Sequence, residues 1–73
     1  MSDELTMAIM NLNIRYYQMR MSENTVRLFD ERQKNNERKN ARAALVECLE
    51  LDQKLYDEQY EIVENLIKKE NEN

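Results

Sequence analysis

A chain of 73 residues carrying 15 acidic and 11 basic side chains, with one cysteine and no glycine, proline or histidine, has few ways to build a stable domain. Such a length allows a single domain, and one core of this size rarely supplies more than about 3–5 kcal/mol of net stability without a staple. Cys48 alone cannot form a disulfide framework and the missing histidines exclude an ordinary structural zinc site, so long regular helices and oligomerisation must make up the difference.

Average usage would place about five glycines and about four prolines in a chain of this length, and the absence of both leaves the backbone almost free of helix breakers. The β-branched residues are few and scattered, and two-residue β-turns usually require glycine or asparagine at positive φ. The expected class is therefore all-α, a long antiparallel helical hairpin of helices at about 3–34 and 38–69, associating into a homo-oligomeric bundle.

The first predicted helix bears two apolar stripes on nearly opposite sides. Leu5, Ile9, Leu12, Tyr16, Met19 and Val26 form one, with Phe29 nearby and Glu23 at one place in the series. Met7, Met10, Ile14, Tyr17, Met21 and Leu28 form the other in steps of three and four, with Asn24 between its last two members. A two-helix hairpin buries one side of this helix and leaves the other to water. Full burial of large apolar side chains is worth about 1.5–3 kcal/mol each, so a stripe of six implies a partner. Met7, Met10, Ile14, Tyr17, Met21, Asn24 and Leu28 are accordingly assigned to a homo-oligomer interface. Asn24 would fix its register, as single polar residues do in coiled-coil seams, unless it marks a helix end.

The middle segment, DERQKNNERKNAR, has no hydrophobic side chain from Asp30 to Asn40. It is read as the polar tip of the hairpin, at about 33–39, with Asn35-Asn36 as the turn tolerant of left-handed backbone. From Glu31 to Arg42 five basic and two acidic residues give +3, so the rest of the chain, at −4 overall, sums to −7. Arg32, Lys34, Arg38, Lys39 and Arg42 are therefore candidate phosphate contacts, although Glu31 and Glu37 dilute them and no aromatic is interleaved.

The second predicted helix shows one broad apolar face, Ala41, Ala44, Leu45, Cys48, Leu51, Leu55, Ile62, Val63 and Leu66, widened by Leu49, Tyr56 and Ile67. Cys48 on that face is expected to be a small buried hydrophobe. The opposite face is acidic, and Glu47, Glu50, Glu58 and Glu61 are its candidate partner-binding residues. Residues 70–73 are expected to fray.

Folding at the midpoint makes facing residue numbers sum to about 72. This places Leu5 near Ile67, Ile9 near Val63, Tyr16 near Tyr56, Val26 near Leu45, Asp30 near Arg42 and Arg20 near Asp52. Two other architectures fit the same periodicity: three helices with a break at Ser22-Glu23-Asn24-Thr25, and one unbroken helix of ~100 Å at 1.5 Å per residue.

No His, no sheltered carboxylate pair and no activated nucleophile points to catalysis, and without glycine there is no Gly-rich phosphate loop. The expected function is non-enzymatic: a small regulator, adaptor or inhibitor that binds a protein target and needs no cofactor. The alternatives are a nucleic-acid-binding regulator using the basic tip, or a binder of small anionic ligands at an oligomer interface, through Tyr16, Tyr17, Tyr56 and Tyr60 beside Arg15 and Arg20. The opening Met-Ser-Asp-Glu and the lack of a long apolar run give the expectation of a soluble cytoplasmic protein without a membrane partner.

Overall fold

The computed structural model describes residues 2–32 and 39–72, which form two α-helices packed side by side, α1 (Asp3–Arg32) and α2 (Lys39–Asn71). The expected tip lies outside the described residues apart from Lys39, the first residue of α2. Extents of 58 × 13 × 12 Å exclude the single unbroken helix, which would be about 100 Å long. The three-helix alternative is excluded too, because α1 runs without interruption past Ser22 and Thr25. Thr25 caps nothing: its hydroxyl donates to the Met21 carbonyl one turn back at 2.9 Å, while Ser22 reaches across to donate to the Asp52 carboxylate.

Local chemistry sets the helix ends. Ser2 is the N-cap of α1, accepting at Oγ from the Leu5 N–H at 3.1 Å, while its carbonyl accepts from the Thr6 N–H at 3.0 Å. Asp3 and Glu4 in the first turn of α1, Arg32 in its last, and Lys68 and Lys69 in the last turn of α2 all complement the helix dipole. At the far end α2 extends beyond residue 69, and Glu70 accepts a 2.8 Å bond from the Ser2 N–H.

The antiparallel register is the expected one. Ser2 meets Glu70, the Tyr16 and Tyr56 rings lie 6.0 Å apart, and Arg42 donates through Nε at 2.8 Å and Nη2 at 3.1 Å to the Asp30 carboxylate. Arg20 does not reach Asp52 as expected. It pairs at 2.8 Å with Glu23, three residues along its own helix, and Ser22 takes the Asp52 carboxylate instead.

The seam is rotated slightly from the expected stripe. Its line runs on α1 through Leu5, Ala8, Leu12, Arg15, Met19, Ser22, Val26 and Phe29, and on α2 through Leu45, Leu49, Asp52, Tyr56, Gln59, Val63, Leu66 and Glu70, all buried or half-buried, with Ile9, Glu23, Val46 and Leu55 half-buried beside it. Both sets step by three and four, the spacing of a coiled-coil seam. Ile9, Tyr16 and Glu23 move to its shoulder, and Ala8, Arg15 and Ser22 take the inner places. Ala8 leaves its own helical carbonyl open, and Gln59 Nε2 donates to that oxygen at 3.0 Å. Among the described residues only Leu5, Ala8 and Val63 are buried, at 5–7 % exposure, with Ile9, Leu12 and Leu66 packed against them.

The end clamps are pH-dependent. The hydrogen bond from Arg42, reinforced by its charge, holds the Asp30 carboxyl below its ordinary 3.8, and hydrogen bonds from Ser2 hold Glu70 below 4.5. A carboxyl with a lowered folded-state pKa contributes stability above its unfolded pKa and loses it as pH falls through the folded value. The difference in Tm between wild type and Asp30→Asn should thus be constant above pH 5 and shrink below about 3.8. It should be no more than a few degrees, since both partners are exposed. A difference undiminished at pH 2 would count against the clamp.

Candidate functional site

The assigned interface residues do share one outward stripe of α1. Met7, Met10, Ile14, Tyr17, Met21 and Leu28 are 44–68 % exposed, and Asn24 is exposed among them. Because the helix continues through Asn24, this residue does not mark an end. It stands as the one polar place in an otherwise apolar series.

On α2 the structure divides what was expected to be a single buried face. Leu45, Leu49, Leu55, Tyr56, Val63 and Leu66 are buried or half-buried, whereas Ala41, Ala44, Cys48, Leu51, Ile62 and Ile67 are exposed. Cys48 is thus not the buried hydrophobe expected from its apolar neighbours. The reason is geometric: one straight neighbouring helix covers a seam of two residues per heptad, and a broader apolar face exceeds it. The signal was present in the sequence as the series 45, 49, 52, 56, 59, 63, 66, whose polar members Asp52 and Gln59 answer Ser22 and the Ala8 carbonyl across the seam.

Glu47, Glu50, Glu58 and Glu61 are all exposed on the outer side of α2, where Lys54 approaches Glu58 at 4.0 Å. Of the basic candidates, Lys34 and Arg38 lie outside the described residues, as does the side chain of Lys39. Arg32 is exposed, and the guanidinium of Arg42 is held by Asp30, which raises its pKa through hydrogen bonding and charge.

The tyrosines assemble into one cluster. Tyr16 lies edge-on to Tyr17 at 5.8 Å and tilted against Tyr56, which in turn meets Tyr60 at 6.1 Å. The arginines proposed beside them are engaged nearby, Arg15 with Gln18 at 3.2 Å and Arg20 with Glu23. Among the described residues no cluster of three His, Cys, Asp or Glu side chains is placed to hold a metal ion, and no helix is long and apolar enough to cross a membrane. No family model, curated protein or solved structure matches the chain.

Proposed function

We propose that this chain is a small non-enzymatic interaction protein, a regulator, adaptor or inhibitor, whose working form is a homo-oligomeric helical bundle assembled through the outward stripe of α1. The observation that carries this proposal is the imbalance of the hairpin: among the described residues, three are buried against eleven large hydrophobic side chains left exposed. A core of three contributes a few kcal/mol, while the exposed set would contribute about 1.5–3 kcal/mol per side chain on full burial. The unburied energy exceeds the buried. A protein target then docks on what association leaves free, and Glu47, Glu50, Glu58 and Glu61 fit a basic surface on that target.

Coupling between folding and association gives the test. For a dimer that unfolds as it dissociates, a tenfold dilution should lower Tm by roughly 4–5 °C, given the usual unfolding entropy per residue. Sedimentation equilibrium should find a mass above that of one chain in the micromolar range. A monomer at all these concentrations with a concentration-independent Tm would refute the assembly.

A further inference from the structure

The pseudo-twofold axis relating two antiparallel helices runs perpendicular to the plane of the hairpin. Seam-relative positions that are equivalent on the two helices therefore lie on the same side of that plane. On both helices the residues just before alternate seam positions, and those next outward from them, fall on one side. On α1 these are Met7, Asn11, Ile14, Gln18, Met21, Thr25 and Leu28, and on α2 they are Ala41, Ala44, Cys48, Leu51, Leu55, Glu58 and Ile62. Between residues 7 and 28 and between 41 and 62 the charges on this side are Glu58, which this interface takes from the acidic set proposed for the target, and the guanidinium of Arg15, a seam residue that donates to Gln18 at 3.2 Å. The opposite side carries five over the same stretches, Arg20, Glu23, Arg27, Glu50 and Asp57. The hairpin as a whole is amphipathic, a property that α2 shows alone and α1 does not.

Resting on the self-association proposed above, we infer that the interface is this two-helix side rather than α1 alone, and that its occupant is the same side of a second copy. Two hairpins stacked in this way form a four-helix bundle. Leu51 and Ile62, exposed by 56 % and 48 %, join Ile14 and Met21 in its buried layer, with Cys48 and Leu55 between them.

The area involved fits a second copy. The accessible surface of the chain is 6030 Å², whereas a compact folded monomer of 8.9 kDa would expose about 4,800 Å². The excess, on the order of 1,200 Å², exceeds the ~800 Å² that each partner contributes to a standard stable interface. Asn11, Gln18 and Thr25 form a polar row between the apolar ribs, where they can hydrogen-bond across the bundle, and Gln18 accepts from the Arg15 guanidinium at 3.2 Å, so that this charge is hydrogen-bonded.

Two measurements on the full chain test the inference. Leu51→Glu and Ile62→Glu should each weaken self-association at least 100-fold by sedimentation, while Tyr60→Glu on the charged side should change it less than threefold. The thiol of Cys48, open to solvent in the single hairpin, should react with a disulfide reagent at least tenfold more slowly in the wild-type oligomer than in the dilute protein. That second readout does not depend on a variant that folds. A wild-type chain that is monomeric would overturn the self-association and this interface together. An oligomer that keeps Cys48 freely reactive, and that survives both α2 substitutions yet is lost with Ile14→Glu, would overturn the two-helix interface and leave the α1 interface standing.

Discussion

Val63→Asp is expected to abolish the helical fold, so that circular dichroism at micromolar concentration shows a mostly unfolded chain with no cooperative thermal transition. Val63 is one of three buried residues among those described and packs with Leu5 and Ala8 near the open end of the hairpin. An aspartate there removes part of the small core and places a carboxylate in the apolar seam, where desolvation alone costs several kcal/mol. The few kcal/mol that so small a core supplies cannot offset this. Val63→Ala, which only removes two methyl groups, should cost about 1–2 kcal/mol and leave a cooperative transition at lower temperature. Retention of the wild-type Tm by Val63→Asp would mean that this end of the seam is not the core.

The hairpin and its register were legible in the sequence for physical reasons that particular residues display. A polar stretch at the midpoint and two apolar flanks of equal length leave one antiparallel alignment, and Tyr16 with Tyr56 and Asp30 with Arg42 meet accordingly. The Arg20 partner was not legible, because Glu23 one turn away competes with any residue across the seam. Nor was the rotation of the seam. Leu5, Leu12, Met19 and Val26 belong to both the expected and the observed series, and the choice between Ile9, Tyr16 and Glu23 on one side and Ala8, Arg15 and Ser22 on the other decides which way the helix turns. Hydrophobicity favours the former, whereas close approach of two backbones and the bond from Gln59 to the Ala8 carbonyl favour the latter. The seam series on α2 was there to read, but the exposure of the rest of its apolar face was not, for a related reason. Periodicity reports which residues share a face but not how much of that face a single neighbour can cover.

Ile14→Glu should dissociate the oligomer, raising its dissociation constant at least 100-fold, while Leu12→Glu should unfold the chain outright. The two residues lie two positions apart on α1, close in size and chemistry, and differ in what they face. Leu12 is half-buried and packs against the Leu5, Ala8 and Val63 cluster, so a carboxylate there lands in the seam within each protomer. Ile14 is 54 % exposed in the single hairpin, so its carboxylate is hydrated in the monomer and loses that hydration only when a second copy arrives. The penalty therefore falls on association, and the helical signal of Ile14→Glu should survive at high protein concentration with a lowered Tm. Linkage makes the contrast measurable: raising the concentration should recover mass and Tm together for Ile14→Glu and neither for Leu12→Glu. If both variants lose helicity equally at every concentration, α1 has no outward stripe independent of its seam. If both remain folded and associated, the partner of α1 lies elsewhere than on Ile14.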